Sequence, residues 1–446
     1  MPCNGSLQPR TNSSPILGWQ TVNRPAFGFA PSQSPSSEAS LQALDVDGHL
    51  MTVAPTGAGK GRGVLIPNLL TYAGPVFVID PKGELYNVTA ERRRQLGQHV
   101  VRLDPFRITG SDTDALNPFD VLSLPGADLE SDSYWLASSL TVNGAISKDP
   151  FWNETATAFI GGLITYLATQ SHERRTLNEL RRMLHADDTI YNLAVVLDTQ
   201  GKDMNPLAKQ EIAAVLQMPD VTRGGALATA ISFLKPFASQ QAAEAFQPST
   251  VPLEDVISGR PLSIYITIPP DKLRSHRALI KLWVGTLLKA IMARTQRPAL
   301  PTLFLIDETA RLEHFPLLET AITLCRGYGL HVWTFWQDLQ QIQDSFPTGW
   351  RTLINNSAVL QTFGIATQAM AYQWGEFLSH SPSELMSLAR DEQILSVHGR
   401  GEQRGQRFDY LQDELFQGLY RANPLFADHE VSPSKATISQ EQPHVR

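Results

Sequence analysis

The sequence contains very little cysteine. Its 446 residues include only Cys3 and Cys325, far apart in the chain. Two distant cysteines supply neither a disulfide framework nor a CxxC metal motif, and such low usage suits a reducing cytoplasm. The histidines are dispersed and show no HExxH or similar spacing, so the sequence predicts no zinc site.

Long apolar runs are also lacking. The N-terminal stretch MPCNGSLQPR has no hydrophobic region of the kind found in signal peptides. Two uncharged windows, residues 155–171 and 353–375, are diluted by polar residues, and neither approaches about 20 predominantly apolar residues. We therefore predict no transmembrane helix in this chain.

An excess of positive charge is missing as well. The chain has 37 Lys and Arg against 44 Asp and Glu, a formal net charge of -7. This balance argues against a uniformly basic nucleic-acid coat protein, but it does not exclude DNA in a local basic channel. No run of basic residues with interleaved aromatics marks such a channel. Trp333, Phe335 and Trp336 lie in an apolar strand pattern, which predicts core positions.

What is present is an alternation of strand and helix patterns. Apolar runs typical of buried strands begin near residues 49, 74, 99, 262, 303, 330, 358 and 393, with helical stretches between them. From about residue 129 to residue 247 the spacing is helical throughout. The sequence therefore predicts an α/β fold with a mostly parallel sheet, interrupted by an all-α domain.

Residues 54–61, APTGAGKG, are close to a phosphate-binding loop. Closely spaced glycines let backbone N–H groups turn onto phosphate oxygens, and Lys60 supplies a mobile positive charge. Ala54 replaces the first glycine of the consensus, and Gly61 replaces its hydroxyl residue. The alternative is a glycine turn with a solvated lysine, but the position after a strand and before a helix favours nucleotide binding. The predicted nucleotide-binding residues are Thr56, Gly57, Ala58, Gly59, Lys60 and Gly61.

Pro67 predicts a kink or an early end in the helix that follows the loop.

The apolar run LFLIDE, residues 303–308, ends in two carboxylates. Open α/β sheets bind ligands at the carboxyl ends of their strands. We predict that Asp307 holds Mg²⁺, mostly through water because Gly61 offers no hydroxyl, and that Glu308 polarises the attacking water. Together with Lys60, Glu308 would act in ATP hydrolysis. The alternative is a strand that runs into a helix N-terminus, where acidic residues are favoured anyway.

Other polar residues follow apolar runs. Gln337 ends a strand, where its amide would sense the γ-phosphate as a third catalytic residue, or else cap the next helix. Asp80, Lys82 and Glu84 follow the strand that we expect to adjoin the loop strand, where they line the site or form an ion-paired turn. For an arginine that reaches a neighbouring subunit's site, the candidates by position are Arg326 and Arg351, although a surface salt bridge is the usual explanation.

These patterns divide the chain into five predicted segments. Residues 1–42 form a flexible leader rich in Pro, Ser, Asn and Gln, and structure begins near Ala43. Residues 43–124 and 251–422 form the two parts of a nucleotide-binding domain, and residues 125–250 form the inserted all-α domain. Residues 423–446 form a poorly ordered tail.

Several of these stretches, taken in order, resemble the type IV coupling proteins. These are the ATPases that feed DNA and effector proteins into conjugation and type IV secretion machines. The resemblance rests on APTGAGKGRGVLIPNLL, VFVIDPKGELYNVTAERR, DPFWNETATAFIGGLITYL, LFLIDETARLEHFPLLETAITLCRGYGLHVWTFWQDLQQI, GWRTLINNSAVLQTFG and DEQILSVHGRGEQRGQRFDY. It covers roughly residues 45–425, and the ordered series is far more specific than any single motif.

The resemblance implies a RecA-like P-loop domain interrupted by an all-α domain, active as a homohexamer with nucleotide at the subunit interfaces. The implied partners are single-stranded DNA, a relaxase or relaxosome or effector proteins, and subunits of the secretion channel. Members of the family commonly carry Gly at the position of Gly61 and either Ala or Gly at the position of Ala54. The usual pair of N-terminal membrane helices is missing, so we expect a cytoplasmic chain at the inner face of the inner membrane.

The resemblance implies a DNA-translocating ATPase as the leading function. One alternative is an adaptor that binds nucleotide without hydrolysis and recruits substrate to the secretion machine. The changes in the loop and the absence of a membrane anchor motivate this alternative. A second is a DNA-pumping ATPase outside secretion, which fits the DPKGE and FWNETA stretches less well.

Overall fold

The computed structural model of the chain describes residues 11–21, 39–44, 46–141, 150–313 and 315–425. In this part of the chain a single mixed sheet of eleven strands forms the centre of the fold. The strands are β1 (Ile16–Thr21), β2 (Ala39–Ala43), β3 (His49–Val53), β4 (Val76–Ile79), β5 (His99–Leu103), β6 (Leu262–Ile266), β7 (Thr302–Ile306), β8 (Leu330–Trp336), β9 (Ser357–Thr362), β10 (Glu392–Val397) and β11 (Gly401–Gln406).

The order of the strands across the sheet is β2-β1-β11-β10-β9-β3-β8-β7-β4-β6-β5. From β9 to β5 all neighbours are parallel. From β9 back to β2 they are antiparallel. The predicted α/β fold with a mostly parallel sheet is confirmed.

The helices cover both faces of the sheet and form a separate run in the middle of the chain. They are α1 (Ile66–Thr71), α2 (Glu84–Gln95), α3 (Leu129–Leu140), α4 (Phe151–Ala168), α5 (Leu177–Leu184), α6 (Thr189–Gln200), α7 (Pro206–Leu216), α8 (Asp220–Phe233), α9 (Gln240–Glu244), α10 (Leu253–Ser258), α11 (Pro270–Met292), α12 (Pro316–Leu324), α13 (Leu339–Ser345), α14 (Trp350–Asn355), α15 (Gln368–Gly375) and α16 (Pro382–Met386). Leaving aside residues 142–149, which are not described, α3 to α10 follow one another without a strand. The exact domain boundaries stay a prediction.

Helix α4 contains most of the uncharged window at residues 155–171. It packs against α3, α7 and α8 and buries Phe159, Ile160, Leu163 and Ile164 completely. Its apolar character therefore reflects a position in a protein core. No helix in the described part of the chain is both long enough and apolar enough to cross a membrane.

Side chains of the parallel strands alternate between two hydrophobic cores, one on each face of the sheet. In β8, Trp333 and Phe335 belong to one core and Val332 and Trp336 to the other. All four are at most 1% exposed. The prediction that the aromatic residues of this strand are core residues is confirmed, because a parallel strand covered on both faces has no solvent side.

The start of the chain differs from the prediction. Residues 16–21 and 39–42, expected to be part of a flexible leader, lie in β1 and β2, which extend the sheet. Asn68 accepts a hydrogen bond from the Ile16 N–H (2.8 Å) and donates one to the Ile16 carbonyl (2.9 Å). Composition did not reveal these contacts, because β1 pairs with β11 from the other end of the chain. Residues 1–10 and 22–38 of the predicted leader lie outside the described residues.

Two further expectations need correction. Asn423, placed in the poorly ordered tail, is 1% exposed and donates a hydrogen bond to Glu84 (2.7 Å). The rest of that tail from residue 426 lies outside the described residues. Pro67 does not end the helix after the loop, because it lies at the start of α1, which continues to Thr71; a kink there stays a prediction. The irregularity comes before it, as a π-helical turn at Gly61–Leu65.

A chain of buried hydrogen bonds crosses the sheet from the parallel part to the antiparallel part. The Trp333 indole donates to Thr52 (2.8 Å), whose hydroxyl donates to Gln361 (2.6 Å). The Gln361 amide donates to Gln393 (2.6 Å), which in turn donates to the carbonyl of Leu17 (2.7 Å). Buried polar groups are stable only when they are paired, so this chain requires β8, β3, β9, β10 and β1 to be in register.

We predict that Gln361→Leu lowers the free energy of unfolding by about 1–3 kcal/mol, because it leaves the Thr52 hydroxyl without its acceptor and the Gln393 side-chain carbonyl without its donor. Urea unfolding followed by circular dichroism measures the change. The matched control is Gln373→Leu at an exposed position of α15, which should change stability by less than about 0.5 kcal/mol. Equal stability of the two variants would contradict the structural role of the hydrogen-bond chain.

A buried histidine predicts that the folded protein loses stability in acid. His49 is 2% exposed, its Nδ1 accepts a hydrogen bond from the Val332 N–H (3.0 Å), and burial, with a smaller effect of His331, lowers its pKa to about 3. In the unfolded chain this imidazole takes up a proton near pH 6.5. The stability that neutral His49 confers is therefore complete above that pH and is lost as the pH falls towards 3. From pH 7 to pH 5 the loss is about 2 kcal/mol.

The measurement is urea unfolding at pH 7 and pH 5 for the wild type and for His49→Asn. The amide oxygen keeps an acceptor near the position of Nδ1 but does not titrate in this range. The variant should therefore lose about 2 kcal/mol less than the wild type between the two pH values. The same loss in both proteins would show that His49 is not responsible.

Candidate nucleotide-binding site

Four neighbouring parallel strands end at one edge of the sheet and bring together residues from distant parts of the sequence. The order β3-β8-β7-β4 places the end of the loop strand, Gln337, Asp307 and Asp80 side by side. A cleft of about 370 Å³ opens there, within the range of about 300–1,000 Å³ that is usual for small-molecule sites. Its lining includes every predicted nucleotide-binding residue except Ala58, namely Thr56, Gly57, Gly59, Lys60 and Gly61, and also Asp80, Lys82, Glu84, Asp307 and Glu308.

The sequence led us to expect that the strand carrying Asp80 adjoins the loop strand. This expectation is wrong. Strands β8 and β7 lie between β3 and β4, and the pairing of Ile79 with Ile306 places Asp80 beside Asp307. Of the two alternatives for Asp80, Lys82 and Glu84, the structure favours lining of the cleft. Sequence order could not show this, because β7 and β8 lie more than 200 residues beyond β4 and insert between it and β3.

The loop itself requires its glycines. Gly57 and Gly59 have φ angles of 78° and 92°, in the left-handed region that favours glycine. The Lys60 ammonium donates hydrogen bonds to the carbonyls of Ala54 (2.6 Å) and Pro55 (3.3 Å), so it lies inside the loop at the end of β3. Burial lowers the pKa of Lys60, while Glu308 and Asp307 act in the opposite direction. The charge of this lysine is thus held where phosphate oxygens would bind.

The position of the missing hydroxyl is open. Gly61 lines the cleft at the start of the π-helical turn, and a Cβ atom built on it would meet no atom within 4 Å. Space therefore does not explain the absence of Ser or Thr. A metal ion at this place would take its protein ligands from the carboxylates across the cleft.

Asp307 and Glu308 directly follow β7 and differ in their surroundings and backbone. Asp307 is partly exposed to the cleft, yet the burial of its carboxyl group, together with the charge of Glu308, raises its pKa to about 6. Glu308 has a left-handed backbone (φ 54°, ψ 49°), which is unusual for a residue with a side chain. Its side chain does not cap the following 3₁₀ helix, Thr309–Leu312. Glu308 nevertheless occupies the N-cap position of that helix, so the alternative of an acidic residue favoured at a helix N-terminus stays open.

The side chain of Gln337 contacts that of Glu308. Its amide nitrogen donates a hydrogen bond to Glu308 Oε2 at 3.0 Å. The alternative role of Gln337 as a helix cap is wrong, because Asp338 caps α13 by accepting a hydrogen bond from the N–H of Gln341 (2.9 Å). The amide thus connects the ends of β8 and β7 at the candidate catalytic carboxylate.

The carboxylates fit a magnesium ion. Asp80 is 1% exposed, and burial raises its pKa to about 7, with a contribution from the negative charge of Asp307. Two buried carboxylates on neighbouring strands gain from a divalent cation, and carboxylate oxygen is the ligand type that Mg²⁺ prefers. Within the described ranges no three His, Cys, Asp or Glu residues are arranged to hold a metal by themselves.

Several residues at the site were not identified from the sequence. Arg407 donates a hydrogen bond to the carbonyl of Ala58 in the loop (2.6 Å) and lies over the ring of Phe363 (4.3 Å). Tyr410, Leu411 and Asn423 line the cleft. They come from residues 407–423, which follow the last strand of the sheet. The stretch RGQRFDY carried part of the family resemblance, but no spacing or residue type connected it with the phosphate loop.

The two arginine candidates lie away from this cleft. Arg326 precedes β8 and Arg351 precedes β9, so both are at the amino ends of parallel strands, and the cleft is at the carboxyl ends. Arg351 lies over the ring of its neighbour Trp350 (4.9 Å). A role of either arginine in the site of a neighbouring subunit stays a prediction.

Gly364 provides a test of how the loop is held in place. It follows β9, has a φ of 67°, and a Cβ atom there would lie 2.7 Å from the Cβ of Ala58. We predict that Gly364→Ala displaces the loop and weakens ATP binding at least about tenfold, as titration calorimetry would measure. The control Gly399→Ala has a similar φ of 76° but no atom within 4 Å. It should lose about 1 kcal/mol of stability and keep its affinity. Equal affinities of the two variants would contradict this role of Gly364.

Comparison with known proteins shows the family of the chain. A family model described as type IV secretory system conjugative DNA transfer matches residues 21–380. The conjugal transfer protein TraG of Rhizobium radiobacter is 27% identical over 304 residues, which cover 67% of this chain and 47% of TraG. The type IV secretion system-coupling protein VirD4 of Bartonella quintana is 21% identical over 417 residues, covering 89% of this chain and 62% of VirD4. The chain thus spans about half the length of the TraG relatives that it matches.

Among solved structures, the fold is similar to that of the bacterial conjugative coupling protein TrwB. The TM-score is 0.62 at 17% identity, with 80% of this chain and 84% of the TrwB chain covered. Structures of TrwB with the ATP analogue ADPNP and with ADP and Mg²⁺ give TM-scores of 0.61 and 0.60. At this identity the likeness shows the fold. The family model covers most of the chain, and the chain therefore belongs to the type IV secretory system conjugative DNA transfer family.

Proposed function

We propose that this chain is the ATP-hydrolysing motor of a coupling protein, which recruits substrate and drives it into a type IV secretion or conjugation channel. The observation that carries the proposal is the meeting of the loop, Asp307, Glu308 and Gln337 at one edge of four neighbouring strands. These are the parts that phosphoryl transfer to water requires: a phosphate cradle, a metal ligand, a base and a group that contacts the γ-phosphate.

In the proposed reaction each residue of the cleft has a separate role. The N–H groups of residues 56–61 and the Lys60 ammonium bind the phosphates, and Lys60 exchanges its bonds with the Ala54 and Pro55 carbonyls for bonds with phosphate oxygens. Glu308 orients and polarises the attacking water. Asp307, with Asp80 beside it, would hold Mg²⁺. When bound, Mg²⁺ neutralises charge on the β- and γ-phosphate oxygens.

Gln337 connects nucleotide state to the catalytic carboxylate. Its amide contacts Glu308 at 3.0 Å. A γ-phosphate within reach of the same amide would compete for this contact and release Glu308 to orient water. Hydrolysis would restore the contact with Glu308. This exchange offers a local switch at the end of β8 that loops on the same edge can follow.

The relatives support the cellular role. TraG is named a conjugal transfer protein and VirD4 a type IV secretion system-coupling protein, and TrwB is solved with ADPNP and with ADP and Mg²⁺. By the same likeness we propose single-stranded DNA with its relaxase, or effector proteins, as cargo, and the secretion channel as partner. The proposed active form is a homohexamer at the inner face of the inner membrane.

A second candidate is a non-hydrolysing adaptor that binds nucleotide and recruits substrate. The observation that favours it is Gly61, which leaves the metal without the usual hydroxyl although a side chain would fit there. A DNA pump outside secretion shares the same site chemistry, but the family match gives it no support.

We predict that the purified protein hydrolyses ATP and that single-stranded DNA stimulates it. Glu308→Gln should lower turnover by about 100-fold or more while ATP still binds, because only the water-activating group is lost. Lys60→Ala should abolish both binding and turnover, because the phosphates lose their main positive charge. Phosphate release measures turnover, and titration calorimetry measures binding.

The controls are Lys202→Ala and Glu173→Gln, both at exposed positions, which should behave like the wild type. Equal turnover in the wild type, Lys60→Ala and Glu308→Gln would rule out the motor. ATP binding without turnover, even at protein concentrations that promote hexamers, would favour the adaptor instead.

A further inference from the structure

The side chain of Thr309 lies between the ends of two central strands of the sheet. It directly follows Glu308 and is 1% exposed. Its hydroxyl donates a hydrogen bond to the Ile306 carbonyl at the end of β7 (2.8 Å) and accepts one from the Phe335 N–H of β8 (3.1 Å). A hydroxyl has one proton to donate and lone pairs that accept, so both bonds form together. The hydroxyl therefore bridges the two strands at the edge where the cleft opens.

This bridge lies at the end of the pairing between β7 and β8. The two strands are parallel, and their last pair is Ile306 with Thr334. In a parallel pair the hydrogen bonds are slanted, so the Ile306 carbonyl faces the N–H one position further along the partner strand, which is that of Phe335. The Thr309 hydroxyl binds both of these backbone groups. The strand pairing and the turn that follows it are thus fixed to each other at one point.

The bond from Thr309 to Ile306 closes a turn that contains only Asp307 and Glu308. Within this turn Glu308 has left-handed backbone angles (φ 54°, ψ 49°), which residues with a side chain rarely adopt. Its N–H donates a hydrogen bond to the Asp307 carboxylate (3.0 Å), and its carbonyl accepts one from the Arg311 N–H (2.8 Å). A strained conformation persists only where its surroundings hold it, and Thr309 fixes this one to the ends of both strands.

The same contact determines how Glu308 and Gln337 lie relative to each other. Phe335 is two residues before Gln337 on one chain segment, and Thr309 is one residue after Glu308 on the other. The bond between Phe335 and Thr309 therefore joins the two segments close to the point where the Gln337 amide donates to Glu308 Oε2 (3.0 Å).

We propose that Thr309 is a positioning residue for ATP hydrolysis, which acts through Glu308. Its hydroxyl holds the backbone of Glu308 so that the carboxylate stays beside Gln337, where it polarises the attacking water. Thr309 itself is buried and does not line the cleft, so its effect reaches the nucleotide only through its neighbour. The inference rests on the proposed ATPase function and adds a residue that sets the rate of the reaction without binding its substrate.

Removal of the hydroxyl should change the rate of hydrolysis and not the binding of ATP. Thr309→Val keeps the shape of the side chain but loses both hydrogen bonds, so the turn at Glu308 relaxes. We expect kcat to fall about 10- to 100-fold, because a misplacement of about 1 Å costs this much in an oriented reaction. The loop and Lys60 are unchanged, so ATP affinity should stay within about twofold of the wild type. Thr309→Ser keeps the hydroxyl and should restore kcat to within about threefold.

Phosphate release by the full chain with ATP, Mg²⁺ and single-stranded DNA measures kcat, and titration calorimetry measures ATP affinity. The matched control is Thr165→Val in α4. The Thr165 hydroxyl is fully buried and donates to the Gly161 carbonyl (2.9 Å), so this variant also loses a buried hydrogen bond, but it should turn over ATP like the wild type. Thr309→Ala removes the hydroxyl without a second methyl group and provides the same test if Thr309→Val does not fold.

A double variant separates the positioning of Glu308 from a general loss of structure. In a protein that already carries Glu308→Gln, Thr309→Val should cause no further loss of turnover, because two residues that act as one unit are not additive. A further loss would show that Thr309 acts by another route and would overturn its positioning role.

The single variants give equally clear results. The positioning role is overturned by wild-type kcat in the variants without the hydroxyl, by an equal loss in Thr165→Val, by a parallel loss of ATP affinity, or by a Thr309→Ser variant as slow as Thr309→Val. In each of these cases a wild type that hydrolyses ATP leaves the proposed motor intact. Wild-type protein without turnover would instead overturn the motor, and the role of Thr309 with it.

Discussion

The structure depends above all on the parallel hydrogen bonding of β3, β8, β7 and β4. Parallel strands in register end at the same edge of a sheet, and here each of the four ends in a polar residue or loop. The strands themselves are apolar and covered on both faces, so their polar ends are the first positions where charged groups can meet solvent or a ligand. Strand pairing thus brings together residues that are up to about 280 positions apart in the sequence.

This edge concentrates charge at an energetic cost. Burial raises the pKa values of Asp80 and Asp307 and lowers that of Lys60, which means that each charged form is poorly solvated in the free protein. Glu308 adds a strained backbone and depends on Gln337 for its orientation. Groups held in this way are already arranged for a metal ion and phosphates and need little reorganisation when these bind. Local instability of the site and its proposed chemistry have the same physical origin.

The two ends of the described chain complete the nucleotide-binding domain. Strand β1 is held to the helix after the loop by Asn68, and the buried chain of amides from Gln361 to Gln393 requires the antiparallel strands to keep their register. On the other side, Arg407 and Asp409 attach residues 407–423 to the loop and its helix. Tyr410, Leu411 and Asn423 line the cleft, whereas β1 supports the helix that follows the loop.

The sequence by itself determined the fold class and the family, and it singled out residues 54–61, the carboxylate pair that ends LFLIDE, and Gln337 as the candidate site. These features are local: glycine spacing, an apolar run of strand length, and the polar residue that ends it depend on neighbours in the chain. The tertiary structure alone decided that β8 and β7 lie between β3 and β4, that β1 and β2 join the sheet, that Arg407 contacts the loop and that Leu411 lines the cleft. Each of these depends on contacts between residues hundreds of positions apart, and composition and periodicity carry no information about which distant segments pair. The pairing of these segments is determined only in the folded sheet, because there it satisfies backbone hydrogen bonds and buries apolar surface at the same time.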